Sequence, residues 1–193
     1  MKKNNSAISI AIISIVCGII IAGIYYINTA NDLIRTRNLV KSYEANIQTE
    51  LQTRFEKVPN LVEIVKGADK HEEDIIDSIT AARAEYNKAL LSNDTAQMLE
   101  ADNSMKLAFS RFEERYPDIA TMPLYQNLMD EYSGLEAAIA VARRNYNEVV
   151  RQYNDKIEVF PTCIVAQSKG FERIPEFKAS EEANNPVRIN MTD

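Results

Sequence analysis

His71, followed by Glu72, is the first place to look for chemistry in this chain, because the sequence holds one histidine. A Ser-His-Asp or Cys-His nucleophile would have to be assembled on that imidazole. Cys163, the thiol nearest the C-terminus, sits in a proline-containing tail with no activating neighbour. A metallopeptidase helix needs a second histidine four residues on, where the chain has Ile75. A ferritin-like di-metal centre needs two Glu-x-x-His pairs, which one histidine cannot supply. With five glycines in 193 residues, no glycine-rich loop offers a phosphate cradle. The expectation is a protein that is not an enzyme, with no catalytic, cofactor-binding or metal-ligating residues.

The charges that stand out lie where apolar residues belong. Arg37, Glu44 and Arg54 share the inner face of a first helix; Glu72 and Asp102 interrupt the apolar stripes of a second and third; Glu136 and Arg143 flank the seam of a fourth. Asn147 and Asn154 each follow a seam tyrosine. A charge taken out of water needs a partner, and such pairs set which helix faces which more than they add stability. The reading is an interhelical polar network of Arg37, Glu44, Arg54, Glu72, Asp102, Glu136, Arg143 and Asn147. The competing reading makes the same residues a groove for a peptide or a carboxylate ligand.

Four helical stripes must position these groups. Leu33, Val40, Ile47 and Leu51 mark the first, and no glycine or proline interrupts residues 24 to 58. Leu61, Val65, Ala68, Ile75, Ile79, Ala82, Tyr86 and Leu90 mark the second. SNDT at 92 to 95 is a turn with Asn93 or Asp94 as helix cap, and Met98, Met105, Phe109, Phe112 and Tyr116 follow before Pro117. The fourth, from Leu128 through Tyr132, Ile139, Tyr146, Val149, Tyr153 and Ile157 to Phe160, is the most regular, and Pro161 ends it. Pro59 falls within RFEKVPNLVEIVKG, between the first two stripes. Its ring forfeits a backbone hydrogen bond and makes this the expected helix kink, with a short turn as the other option. Helices joined by short turns pack as antiparallel neighbours. The predicted fold is all-α: a single transmembrane helix continuing into an antiparallel up-and-down bundle, then an irregular tail.

Residues 6–27, SAISIAIISIVCGIIIAGIYYI, carry no charge and would span about 33 Å as a helix, enough for a bilayer core. They are too long and too uniformly apolar for a cleaved signal peptide. Ala7, Ala11, Ser14, Gly18 and Ala22 recur on one face, the pattern that lets helices approach closely in lipid, so self-association through this face is expected. Basic residues flank both ends in similar number, and the side of the membrane occupied by the bundle stays open. The chain divides into an N-terminal flank (1–5), the transmembrane helix (6–27), the soluble bundle (28–160) and a tail packed on it (161–193). Twenty-two basic against 28 acidic residues, a net charge of -6, exclude a phosphate-binding footprint and hence a nucleic-acid partner. Cys17 and Cys163 lie too far apart in this layout to pair.

Several segments resemble the LemA family of bacterial membrane-anchored helical proteins. RFEKVPNLVEIVKGADKHE carries the family's Pro-Asn-Leu-Val-Glu, Val-Lys-Gly and His-Glu groups. RFEERYPD, LEAAIAVARRNYNEVVRQYN, the FP at 160 and 161, and GFE at 170–172 follow in order. Ser42-Tyr43-Glu44 departs from the Ala-Trp frequent in the family. The resemblance implies a single-pass anchor on a bundle of long helices without recognised enzymatic activity, similar in build to a magnetosome membrane protein. The expected partners are the lipid bilayer, further copies of the chain as a homo-oligomer, and another envelope protein, at the bacterial inner membrane. The expected role is an interaction or scaffold protein; the alternative is a ligand sensor or accessory partner of an envelope protease.

Overall fold

A computed structural model describes residues 3–68 and 73–178, with side chains over 9–64 and 74–178. Among the described residues every regular element is a helix: α1 (Lys3–Phe55), α2 (Val58–Ala68), α3 (Glu73–Ser92), α4 (Thr95–Arg115), α5 (Pro117–Ala120), α6 (Pro123–Glu158) and α7 (Thr162–Ser168). The chain forms two compact units, and α1 and α6 contribute to both.

The first unit takes Met1–Tyr43 and Glu148–Pro175. The charge-free run continues into the bundle without a break, as the absence of glycine and proline from 24 to 58 requires. Every described side chain from residue 9 to 25 is exposed. Burial begins at Ala30 and Leu33 and continues through Thr36 and Val40, with Val149, Val150, Tyr153, Ile157, Val165 and Ala166 supplying the rest of this core. Lys156 Nζ meets Asp32 Oδ2 at 2.8 Å and donates to Thr36 Oγ1 at 3.0 Å. Arg37 lies within electrostatic reach of Tyr153. Stepping up α6 thus steps down α1, and the two run antiparallel. The seven residues of α7 form a helix inside the tail, which the sequence periodicity does not reveal.

The second unit takes Glu44–Asn147 and Glu176–Asp193. Its core is built on the expected stripes: Ile47 and Leu51; Leu61, Ile75, Ile79, Ala82 and Tyr86; Met98, Met105, Phe109 and Phe112; Tyr132, Ile139 and Tyr146. Leu90 is the exception, being 41% exposed, while its neighbour Ala89 is buried. Asp94 is the cap of α4, accepting the Gln97 N–H at 3.0 Å, and Asn93 takes the positive φ of 54° that the turn demands. Phe109 meets Tyr132 edge-on, and Phe112 meets Tyr125 at 5.5 Å, so α4 and α6 run antiparallel. Phe55 stacks on Tyr86 with ring centroids 3.8 Å apart, fixing α1 to α3.

At Pro59 the helix is interrupted by a two-residue turn. α1 ends at Phe55, the Lys57 N–H bonds the Arg54 carbonyl at 3.1 Å, and the Asn60 N–H bonds the Lys57 carbonyl at 3.2 Å. Pro59 is the second residue of α2, where no intrahelical N–H is needed, so its missing donor costs nothing there. Proline thus starts a new helix, and Val58 and Leu61 on either side of it are buried.

Candidate functional site

Arg54 stands seven residues after Ile47, on the same apolar face of α1, and is 1% exposed. The periodicity that builds the core therefore delivers a guanidinium into it. Arg54 Nη1 donates to Asp102 Oδ2 at 3.1 Å, and its Cζ lies 3.9 Å above the centre of the Tyr132 ring. Arg54 Nη2 is 3.8 Å from Glu136 Oε2. Lys106, one turn beyond Asp102 on α4, donates to Glu136 Oε1 at 2.6 Å and lies 3.6 Å from Asp102 Oδ2. Two cations and two carboxylates from three helices thus close on one another with no net charge. The ring face of Tyr132 covers the guanidinium.

Burial sets the titration of this cluster. It pushes the Asp102 carboxyl up, and the charges of Arg54 and Lys106 recover only part of the shift. Partial burial also pushes on Glu136. There the hydrogen bond from Lys106 and the charges of Lys106 and Arg54 win, and the carboxyl is held below its ordinary value. Burial drives the Tyr86 phenol up to about 12, helped by the charges of Glu56 and Asp102, and drives Tyr132 higher still. The phenols of Tyr125 and Tyr146 rise for the same reason, that of Tyr146 to about 12. Arg54 Nε, Asp102 Oδ1 and the Tyr86 and Tyr132 hydroxyls find no hydrogen-bond partner among the described residues. At neutral pH these phenols hold their protons, and both carboxylates face cations. The arrangement joins α1, α4 and α6 through these four charged side chains.

The residues singled out from sequence fall into separate groups. Arg54, Asp102 and Glu136 meet as described. Glu44 accepts from Thr95 Oγ1 at 3.0 Å, and Gln48 reaches Thr95 and Asn93, so these side chains secure the start of α4 to α1. Arg37 is exposed in the first unit, where its charge opposes the upward push of burial on the Tyr153 phenol. Asn147 donates to the Phe177 carbonyl at 2.8 Å and accepts the Phe177 N–H at 2.9 Å, while Arg143 bonds the Lys178 carbonyl. In the first unit Asn154 makes the same two-way pair with the backbone of Ile174. Glu72, with His71, lies outside the described residues, and Ala7 outside the described side chains. Ala11, Ser14, Gly18 and Ala22 are all exposed, and no atom of the described residues lies within 4 Å of a methyl built on Gly18. Lys106 and Tyr132 are the members that sequence reasoning missed; the Asp102–Lys106 spacing of four on one helix was the available signal. Among the described residues no cluster of three His, Cys, Asp or Glu side chains suits a metal.

A family model described as "LemA family" matches residues 43–191. The chain is similar to "Protein LemA" of Metamycoplasma hominis, with 27% identity over 157 residues that cover 81% of this chain and 72% of that protein. It is also similar to "Magnetosome protein MamQ 2" and "Magnetosome protein MamQ 1" of Paramagnetospirillum magneticum. Each is 29% identical over 93 residues, covering 47% of this chain and 34% of the relative.

Proposed function

The chain belongs to the LemA family, and from that premise we propose a non-enzymatic interaction protein of the bacterial envelope. It is anchored in the inner membrane by one helix and self-associates to scaffold partners at the bilayer. The observation that carries this reading is α1: 53 uninterrupted residues, exposed and charge-free over the described part of the apolar run, then striped and buried within the bundle. An exposed apolar helix of this length has a bilayer as its stable surroundings. The same helix goes on to supply core residues to both units, Leu33 to the first and Ile47 to the second. The exposed stripe of Ala11, Ser14, Gly18 and Ala22 supports association between anchors. Two relatives named for the magnetosome support a setting at a membrane.

The test is the mass of the full-length protein after extraction in mild detergent, measured by light scattering with the micelle subtracted. A scaffold gives assemblies of several chains that persist on dilution. A single chain per micelle at every concentration refutes self-association, and release from membranes by alkaline carbonate refutes the anchor.

A further inference from the structure

The corner between α6 and α7 departs from the burial that the rest of the α6 seam follows. The seam period brings Phe160 onto the core face, yet α6 ends at Glu158 and Phe160 is 75% exposed. Val159 and Ile164 beside it are each 59% exposed. The physical reason is Pro161, which stops the helix before the residue at 160 can turn inward. An aromatic and two β-branched residues are left bare on one short bend.

The height of that bend along α1 is set by the contacts around it. Lys156 is paired with Asp32 and Thr36, and α6 runs antiparallel to α1, so each further residue of α6 lies opposite an earlier residue of α1. Phe160, one turn past Lys156, comes level with the turn of α1 before Asp32, just after the apolar run ends at Ile27. A second pair of contacts fixes α7 at the same place. The Tyr26 hydroxyl and Ser168 Oγ are 3.0 Å apart, and Lys169 Nζ lies 5.8 Å from the centre of the Tyr26 ring. Glu158, the acid at the bend, is neutralised by Arg173 at 2.7 Å.

We propose that Val159, Phe160 and Ile164 insert into the interfacial zone of the leaflet from which α1 emerges, giving this protein a second membrane contact. The lipid surface is the occupant that the position selects. The bare residues stand near the end of the apolar run, and Ser168 of the same α7 meets Tyr26, an aromatic of the kind that occupies the headgroup boundary. Lys169, its Nζ 5.8 Å from the Tyr26 ring, is a cation of the kind that pairs with lipid phosphate at this level. A second contact prevents α1 from rotating freely about its own axis and holds α7 at the bilayer surface. The inference rests on the reading of α1 as an anchor.

The chain has no tryptophan, so Phe160→Trp in the full-length protein is a sole reporter. Leu91→Trp, at a position 90% exposed in the other unit, is the reference. Both go into vesicles of phosphatidylethanolamine and phosphatidylglycerol, with and without lipids brominated near the headgroup end of the acyl chain. The expected result is bromolipid quenching several-fold stronger, and acrylamide quenching several-fold weaker, at position 160 than at 91. Ile164→Trp gives the same pattern should substitution at 160 disturb the bend. Acrylamide access equal to that at 91 without bromolipid quenching overturns the proposal. So does shielding from acrylamide without bromolipid quenching, which would place a second copy or another protein on the bend. Flotation of the same vesicles separates the two readings: protein that floats with a solvated reporter sinks this inference alone, and protein that fails to float sinks the anchor with it.

Discussion

The two halves of α1 are one helix in two surroundings. Ile10, Ile13, Ile20, Ile21 and Ile27 in the first half are more than half exposed, although almost every residue around them is apolar. In the second half apolar residues alternate with polar ones and burial picks out one face: Leu33, Val40, Ile47 and Leu51 are nearly inaccessible, while Ile34 and Leu39 stay exposed. Burial inside the protein follows the period of the apolar residues and not their number. A helix apolar on all sides has no face to prefer and takes lipid as its solvent. The second half also accommodates a charge, Arg54, by enclosing it with counter-charges from two other helices, whereas the run from 6 to 27 has none.

The largest separation of the halves comes with alkali. The buried phenols of the bundle hold their protons more tightly folded than unfolded, with Tyr86 and Tyr146 raised to about 12. Stability from them is intact below the unfolded phenol value of about 10 and is lost as pH climbs toward the folded value, because the unfolded chain releases protons first. In detergent, phenolate absorbance from the buried tyrosines is expected in one step together with bundle unfolding. The anchor half keeps its helical circular dichroism above the transition. Smooth titration of all tyrosines without unfolding would contradict this.

Removing Arg54 comes next. Arg54→Ala strands the Asp102 carboxylate in the core and is expected to cost about 3–5 kcal/mol in denaturant unfolding of the full chain in micelles. Asp102→Ala combined with it recovers part of that loss, and strictly additive single effects would show that the pair is not coupled. Ile47→Ala, at a site with no solvent access, follows at about 3 kcal/mol. The matched Ile13→Ala in the exposed half leaves bundle unfolding unchanged. Equal losses at 13 and 47 would erase the distinction between the halves.

What the sequence reveals and what it hides divide along the same physical line. Period reports which face of a helix is buried, so the stripes through Ile47, Met105, Phe109 and Tyr146 stand where they were expected. Period does not report where a helix stops or which turn meets which. Phe160, expected on the fourth seam, lies two residues beyond the end of α6, and Leu90 yields its place to Ala89 near the α3–α4 turn. The ionic residues show the limit most sharply. Arg37, Glu44, Arg54 and Arg143 share a type of position, but their partners depend on the register between helices. Arg54 therefore finds Asp102 and Glu136, while Arg143 reaches the backbone of Lys178. The short α7 has too few residues to display a period at all.

An exposed ion pair measures how little charge contributes once water reaches it. Lys156 and Asp32 are 41% and 59% exposed at the side chain, so Lys156→Met is expected to cost about 0.2–1 kcal/mol, several times less than Arg54→Ala. A loss as large as that at Arg54 would mean that the first unit depends on this pair as a buried one.

The smallest effect on folding is expected at Gly18, and there the informative readout is association. Among the described residues nothing lies within 4 Å of a methyl built on this residue, so Gly18→Ile meets no clash with them. Isoleucine in a water-exposed helix would still lower helix propensity relative to good helix formers, but in lipid a branched apolar side chain is well tolerated. Bundle unfolding should therefore move by less than about 0.5 kcal/mol. Between two anchors, the same side chain would hold the helices apart where Ala11, Ser14 and Ala22 otherwise permit close approach. Energy transfer between differently labelled copies in vesicles, followed as lipid is added, reads this directly. Wild-type transfer should persist on dilution and Gly18→Ile transfer should fall to the level of random encounter. Persistent transfer in the variant would move self-association away from this face, and a changed unfolding midpoint would show that the anchor half is not independent of the bundle half after all.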